Sequence, residues 1–522
     1  MRLTLCLTVK DEAALLPEFL ARARGLWDEL VAVDTGSTDG TVGLLEAAGA
    51  HVLHRPWTGD FSAARNPALE AATGDWVLVL DPDEQVSEGF VREVRALLAR
   101  ADVGAATVRM HNPRPGGQLH VADLLRLFRR HPSIRFRHPI HEDVTESVMA
   151  RLSETGQAVV ALRSPVVHLG YARAHAATRE KKARDVAILD RALSGDPDDL
   201  YLHFKRLEQA RFWGDAALWR RAAGEAKAAV GRAPARLRPH FQGELAVMVA
   251  EGLHPGAPAD ALSELNVLAG VLDRPSAAVS CRRGEWLERL GRLDEARAAF
   301  HAALACRTKE SHEQFAGVRP RMGLVRLGLA RGDVAAARAV LEEVLREAPL
   351  DREACLAAAS LEGLAGAAAV ESWARGRAAD SPEGQARLHA ASEWALLSCA
   401  PQLAVSCLRA LAGEPPRGAQ GLQLAQALLA AGEVEPARSL ARELMAALPE
   451  AGLTVLLCDL ALGESSELEL ALEPAEAEAA LRQAARLLRT AALPEVKRSL
   501  AGAVPALAET FPWLARELGT GP

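Results

Sequence analysis

The sequence predicts an α/β domain with a doubly wound, Rossmann-like sheet, followed by an all-α superhelix of helical repeats. Three observations predict it. From Leu3 to Leu80, short apolar runs alternate with helix-like stretches, the pattern of parallel strands covered by helices. Three of those runs end in acids, which a purely structural sheet does not need at its carboxyl edge. In the second half, prolines recur at Pro349, Pro382, Pro415 and Pro449, in steps of 33, 33 and 34 residues. That spacing is close to the period of about 34 residues found in stacked helix pairs.

The elements follow in order. Leu3 to Val9 is a short apolar strand, followed by Lys10-Asp11-Glu12. It leaves no room for the longer apolar core of a signal peptide. Ala13 to Leu26 reads as a helix. Glu29 to Asp34 is a second strand, ending in an acid. Thr35 to Thr41 is a turn that opens a helix through Ala48, where Asp39 suits an N-cap or first-turn position. Gly49 to Leu53 is a third, short strand. Trp57 to Asn66 leads into a helix through Ala72, with Trp57 and Phe61 expected to seat the loop. After Gly74-Asp75, the uninterrupted run Trp76 to Leu80 reads as a buried parallel strand. It stops at Asp81-Pro82-Asp83-Glu84.

Carboxylates at the carboxyl end of such a strand sit where open α/β sheets bind ligands. Asp81 and Asp83, two apart, can both reach one hard divalent cation that has phosphates as its other ligands. A solvated turn is the plainer reading of an isolated Asp-x-Asp. No G-x-G-x-x-G follows the first strand, and no glycine-rich Walker loop is present, so a nucleotide here would be held by acids and a metal.

The ordered motifs V-K-D-E, V-D-T-G-S-T-D-G-T, D-F-S-A-A-R-N and L-D-P-D-E resemble inverting family 2 glycosyltransferases of the GT-A fold. The resemblance is strongest to the bacterial subgroup in which that domain precedes tetratricopeptide repeats, and it covers residues 1–175. Asp11 departs from the asparagine expected there, and Pro82 from an aspartate or alanine. The resemblance implies a nucleotide-sugar donor, UDP by default, and Mn²⁺ or Mg²⁺ as cofactor. Thr8 and Glu12 would lie beside the base or ribose, Asp34 would hydrogen-bond the base, and Arg65 would contact the nucleotide. Asp34 as a turn cap, or Arg65 paired with Asp60 or Asp75, are the structural alternatives. Asp83 would bind the metal. Asp81 would bind the metal, the ribose or a metal-bound water, and Glu84 would support them or act as a first-turn helix acid. His168, in Val166-Val167-His168-Leu169-Gly170-Tyr171, would be a further metal ligand or else a core histidine. In His141-Glu142-Asp143, the resemblance places the catalytic base, with Glu142 preferred to Asp143.

That triplet closes a dense basic segment, Leu124 to Val144, carrying Arg126, Arg129, Arg130, Arg135 and Arg137. The net charge of -7 argues against a general nucleic-acid binder. No apolar run of membrane-spanning length occurs. The seven cysteines form no C-x-x-C pair and are odd in number, which suits reduced thiols in a cytoplasmic protein.

The expected organisation is a catalytic domain over 1–175, a linking helix over 176–200 and helical repeats over 201–522. Lys181, Lys182 and Arg184 of the linking helix read as a solvated face. Gly332, Ala337 and Pro349 mark one repeat copy, and Gly432, Ala437 and Pro449 another. Gly291, Ala296 and Phe300 mark an earlier one, and Gly214 with Trp219 a degenerate first copy. Such an array offers a concave face for a peptide, protein or glycan acceptor, or a surface for a homodimer. The acids from Glu464 to Glu478 read as a solvated linker. Two rival readings remain: a nucleotidyltransferase, and a non-catalytic repeat scaffold with a vestigial nucleotide-sugar domain.

Overall fold

The computed structural model describes residues 1–113, 119–168, 176–238, 240–307, 313–411 and 418–464. Leu169 to Tyr171, Pro415 and the acids after Glu464 lie outside these described residues.

Nine strands form one sheet among the described residues: β1 (Leu3–Val9), β2 (Glu29–Asp34), β3 (His51–His54), β4 (Trp76–Val79), β5 (Glu84–Gln85), β6 (Val103–Pro113), β7 (Leu119–Arg129), β8 (Ala158–Ala161) and β9 (Val166–His168). Their order is β3-β2-β1-β4-β7-β6-β9-β5, with β8 paired to β6. The first four run parallel, as the strand-helix alternation requires. Beyond β4 the sheet is mixed, because β7 is antiparallel to both β4 and β6. The expectation of a parallel sheet therefore holds for β1 to β4 and not for the rest. The β6–β7 pair is a long hairpin, which needs no crossover helix.

Alternation along the strands explains the two buried faces. Leu3, Leu5, Leu7, Leu78 and Leu80 pack with Phe19 and Phe90 in one core. Cys6, Val31, Val33, Val77 and Val79 point the other way, onto Ala68, Leu69, Phe128 and Val148. Both faces of these strands are covered, so the apolar runs are nearly continuous. The helices covering them are α1 (Leu16–Arg22), α2 (Thr41–Ala47), α3 (Phe61–Ala71), α4 (Glu88–Leu98) and α5 (Thr145–Thr155). α1 is shorter than the helix expected over Ala13 to Leu26, since Leu15 and Leu16 close a turn on the Glu12 carbonyl before it begins. Asp60 caps α3 by accepting from the Ala63 amide at 2.9 Å, and Ser87 caps α4 through the Phe90 amide at 3.2 Å.

The chain divides into two compact units. The first comprises Met1–Ala257 with Asn266–Leu272, and the second Pro258–Leu265 with Asp273 onward. The first unit thus contains α6 (Ala176–Gly195), α7 (Leu200–Phe212), α8 (Ala216–Arg232) and α9 (Gln242–Leu253) as well as the sheet. Residues 176–200 do more than link. Ile188, Leu189 and Leu193 are buried with Leu202, Ile140, Trp57 and Phe61. Trp57 and Phe61 seat their loop as expected, 4.6 Å apart edge to face.

The second unit is built of helix pairs, among them Ala277–Arg289 with Leu293–Ala305, Val318–Ala330 with Val334–Glu347, and Gly418–Ala430 with Val434–Leu444. Gly291, Gly332 and Gly432 make the turns within these pairs at positive φ, where a side chain is disfavoured. Ala296, Ala337 and Ala437 are buried just after them, so the two helices approach closely. Phe300 is fully buried against two glycines. A Cβ on Gly284 would lie 2.6 Å from its ring, and one on Gly323 would overlap it. Gly214 makes the corresponding turn between α7 and α8. Pro382 opens its helix at the first position behind the Ser381 cap.

All seven cysteines are unpaired. Among the described residues no helix is long and apolar enough to cross a membrane.

Candidate active site

The strand register brings the acid-bearing ends together. Val9 pairs with Asp34, and Cys6 pairs with Val79, so the chain leaves β1, β2 and β4 on one edge. Asp34 is buried there. It accepts from the Gly36 amide at 3.3 Å and the Ser37 amide at 3.1 Å, and His54 Nδ1 lies 3.4 Å away. Burial raises the Asp34 pKa, but hydrogen bonds from Ser37, His54 and Gly36 outweigh it and hold the carboxyl below its ordinary value. Its contacts are those of a turn cap.

Asp11 has a φ of +54°, the left-handed region that Asn and Asp tolerate best among side-chain residues. Its carboxylate accepts from the Thr38 amide at 2.7 Å, tying the first loop to the second. The Glu12 amide donates to Thr41 Oγ1 at 2.7 Å. Thr8 is half-buried in β1, opposite Val33. Asp39 accepts from the amides of Thr41 and Ala13, but it stands one residue ahead of the N-cap, which is Gly40, rather than at the cap or in the first turn as expected.

Arg65 joins the strand edge to a distant loop. It is carried into the site by the second turn of α3. Its Nε donates to Glu142 Oε1 at 2.6 Å and its Nη2 to Asp81 Oδ2 at 3.0 Å. The side chain is only 9% exposed, and Nη1 is buried without a partner. Burial works against the charge, yet the two facing carboxylates outweigh it and raise the guanidinium pKa above its ordinary value. Neither Asp60 nor Asp75 is its partner: Asp60 caps α3 and Asp75 accepts from the Arg2 amide.

The acids after β4 separate into two roles. Burial raises the Asp81 pKa, but Arg65 and Arg126 together bring it down, well below the ordinary carboxylate range. Asp83 faces His168 instead, with Oδ2 and Nε2 3.1 Å apart. His168 Nδ1 lies 2.8 Å from Asn112 Oδ1, which fixes the ring. Burial opposes protonation of His168, and the Asp83 hydrogen bond outweighs it, so the pKa is raised. Glu84 is buried. Its Oε2 accepts from the Asp81 amide at 2.9 Å and its Oε1 lies 3.3 Å from Arg126. Burial pushes Glu84 up, and the Arg126 charge only partly offsets it.

Asp83 and His168 thus form a two-residue donor pair of carboxylate and imidazole, which fits Mn²⁺ or Mg²⁺ with phosphate oxygens as co-ligands. Asp81 bonds Arg65 and lies 3.7 Å from Arg126, and its charge also acts on His168. Among the described residues no three His, Cys, Asp or Glu side chains converge as a metal site.

Glu142 and Asp143 are adjacent but go to different places. Glu142 reaches Arg65. Asp143 accepts from the Thr145 amide at 2.9 Å, at the start of α5, and its backbone bridges to Arg137. The loop that carries them is unusual. His138 and His141 both have positive φ, +70° and +53°, each costing on the order of 1–3 kcal/mol. Contacts from α3 hold it, with Ser62 Oγ donating to the His138 carbonyl at 2.6 Å and the Phe61 amide to that of Pro139 at 2.8 Å.

The other arginines of the basic segment disperse into structural contacts. Arg129 donates to the carbonyls of Val103 and Arg100 and lies over Trp76 at 4.7 Å. Arg130 donates to Gly74, and Arg135 and Arg137 pair with Glu70 and Glu146. Only Arg126 enters the site. Lys182 pairs with Asp215, and Arg184 with Asp185. Sequence reasoning missed Arg126 as a site residue, Asn112 behind His168, and the α7 residues that touch the His141 loop.

Residues 4–153 match the model of Glycosyl transferase family 2. A TPR repeat-containing protein of Synechococcus elongatus is 42% identical over 203 residues, 38% of this chain and 50% of that protein. The SPbeta prophage-derived glycosyltransferase SunS of Bacillus subtilis is 25% identical over 202 residues, 38% of this chain and 46% of that protein. The chain therefore spans about half the length of these curated relatives. Among solved structures, a mannosyltransferase of Pyrobaculum calidifontis, in complex with GDP-Man and Mn²⁺, is 20% identical over 52% of this chain and 85% of its own. Its TM-score is 0.27, too low to build on.

Proposed function

We propose that this family 2 glycosyltransferase domain of GT-A fold, carried ahead of tetratricopeptide-like helices, moves a sugar with inversion from a UDP-sugar to a peptide, protein or glycan acceptor. One observation carries the reading: buried Arg65 bridges Asp81, at a strand end, to Glu142, in a loop 77 residues further along the chain. Asp81 stands at the carboxyl edge of the sheet, where open α/β sheets bind ligands, which supports a functional pairing.

In this reading Thr8, Glu12 and Asp34 line the base and ribose. An ionised carboxylate is acceptor-only and suits a uracil N–H or ribose hydroxyls. Asp83 and His168 hold the divalent cation. When bound, that cation neutralises the charge growing on the leaving diphosphate. The unpartnered Nη1 of Arg65 supplies a donor for a nucleotide oxygen. Glu142, oriented by Arg65 Nε, takes the proton of the acceptor on the face opposite the diphosphate. The turn at the start of α5 occupies Asp143, which supports Glu142 as the base. The helical repeats hold the acceptor. Seven unpaired cysteines support a reducing, cytoplasmic setting.

The test is calorimetry with UDP and Mn²⁺ together with a UDP-sugar turnover screen read by mass. UDP binding that requires Mn²⁺, and is lost in Asp83→Ala, is the expected result. UDP affinity unchanged by that substitution overturns the metal assignment, and no binding of UDP at all overturns the donor.

A further inference from the structure

We propose that α7 is part of the active site: Tyr201 and Gln209 are positioning residues that hold His141 in its left-handed conformation and so aim Glu142 at Arg65. The inference rests on the reading above that Glu142 acts as the base.

The contacts on His141 come from α7, about sixty residues away in sequence. Tyr201 Oη donates to the His141 carbonyl at 3.0 Å. Gln209 Nε2 lies 2.9 Å from His141 Nε2. The Tyr201 ring stacks on His138, the other left-handed residue of the loop, at 4.3 Å. Between them Ile140 is buried against Ile188, Leu189, Leu193 and Leu202. The loop is therefore gripped by α3 on its own domain and by α6 and α7 beyond it.

A chain of donors fixes the polarity of this grip. The indole of Trp213 can only donate, and it does so to Gln209 Oε1 at 2.8 Å. The Gln209 oxygen is committed there, so its amide nitrogen faces His141. His141 Nε2 must then accept, which requires a neutral ring protonated on Nδ1. Burial, reinforced by the Lys205 charge, favours the same neutral ring by pushing the His141 pKa down to about 4. Neither His138 nor His141 would choose positive φ unaided, because their Cβ atoms oppose it. Tyr201 and Gln209 supply the contacts that select it, and the next residue is Glu142.

The experiment uses the full chain with Tyr201→Phe, Gln209→Leu and Tyr201→Phe/His141→Gly. Tyr201→Phe removes the hydroxyl and keeps the ring on His138. Three readouts are taken: UDP release from the UDP-sugar the donor screen identifies, UDP–Mn²⁺ affinity, and hydrogen exchange of the Arg137 and Asp143 amides, which bond to each other's carbonyls. In both single variants turnover falls about tenfold, the order of one lost hydrogen bond. UDP–Mn²⁺ affinity and the donor KM stay unchanged, and the two loop amides exchange faster. Adding His141→Gly to Tyr201→Phe recovers part of the rate, since glycine takes positive φ without strain. Unchanged exchange at the loop overturns the proposal, and so does faster exchange with wild-type turnover. A parallel loss of UDP affinity overturns it too, because that marks general unfolding. Glu142→Gln in the same assay separates the two readings. If it turns over at the wild-type rate while Tyr201→Phe behaves as stated, the base assignment fails and the positioning role stands.

Discussion

Arg65 and Arg326 each hold two carboxylates, and their surroundings make them different devices. Arg65 is 9% exposed and faces Asp81 and Glu142, at 27% and 15%. Its partners come from a strand end and a strained loop, and one of its own nitrogens is left without a partner. Arg326 is 38% exposed and pairs with Glu288 and Glu353, one on the preceding helix pair and one on the next. Every element that Arg326 touches is a regular helix. Arg65 thus gathers charge where water is scarce, against desolvation and strain. Arg326 holds its two partners nearer to solvent and ties three helices together. Burial alone does not separate the two kinds, since Arg206 is 4% exposed and bridges Asp190 and Glu225 between helices. What sets Arg65 apart is that one of its partners stands at the carboxyl end of a strand.

This contrast can be broken at several points. The largest effect is expected for Glu142→Gln, which keeps the shape facing Arg65 and removes a base. Transfer should fall by about 10²–10⁴, with UDP–Mn²⁺ affinity retained. Asp143→Asn, by comparison, should leave most of the rate, and an inactive Asp143→Asn beside an active Glu142→Gln would reverse the two roles. Next comes Arg65→Met, which leaves Glu142 without its cation and Asp81 with Arg126 alone, 3.7 Å away. Loss of a buried partner of this kind typically costs about 3–5 kcal/mol, readable as a lower urea midpoint. A midpoint that rises would mean the network is no more than a tolerated burial of charge.

In the helical unit, Gly323→Ala is the sharper probe. An exposed helical glycine usually gains stability on becoming alanine, by about 0.5–1 kcal/mol. Here the added Cβ meets Phe300, so a loss of about 1–3 kcal/mol from overpacking is expected. A higher Tm would show that the ring moves aside freely. The smallest stability effect belongs to Arg326→Ala, about 0.2–1 kcal/mol and weaker in high salt.

A pH profile gives one more comparison. The His141 pKa is pushed down to about 4 by burial, so between pH 6.5 and that value the unfolded chain binds more protons than the folded one. Stability should rise with pH through this window and fall on acidification through it. His141→Asn, which also tolerates positive φ, should flatten that arm of a Tm-versus-pH curve. An unchanged slope would show that His141 titrates normally.

The sheet edge was legible because its signal is local. An apolar run that stops at Asp81-Pro82-Asp83-Glu84 announces both a buried strand and the acids at its carboxyl end. The repeat array was legible for the same reason, since turn glycines and the small residues after them recur at a fixed distance. What stayed hidden depends on register. Arg126 looks like its basic neighbours, and only the pairing of Leu78 with Leu127 brings this one arginine to Glu84 and Asp81. Asn112 lies at the far end of β6 with no motif around it. Residues 176–200 read as a link because their apolar positions give no hint of Ile140 as partner. Tyr201 and Gln209 read as repeat residues because no periodicity reveals that their helix rests on a loop sixty residues earlier. Asp34 carried two readings in the sequence, and its hydrogen bonds are those of the turn cap.

The seating of Phe300 between Gly284 and Gly323 bears on how this array can change length. The ring and its two seats sit on three successive helices, so no single helix pair contains the whole arrangement. Deleting or duplicating the pair that carries Phe300 would set a large ring against a wall with no recess, or leave a recess with no ring. Growth by whole repeats is therefore hindered at residue 300, and again where Trp394 lies against Gly363 of an earlier helix. Insertions within a turn cost less, because the turn glycines meet open space. Lineages that lengthen or shorten such a chain should do so in its turns, with this stretch inherited as a block.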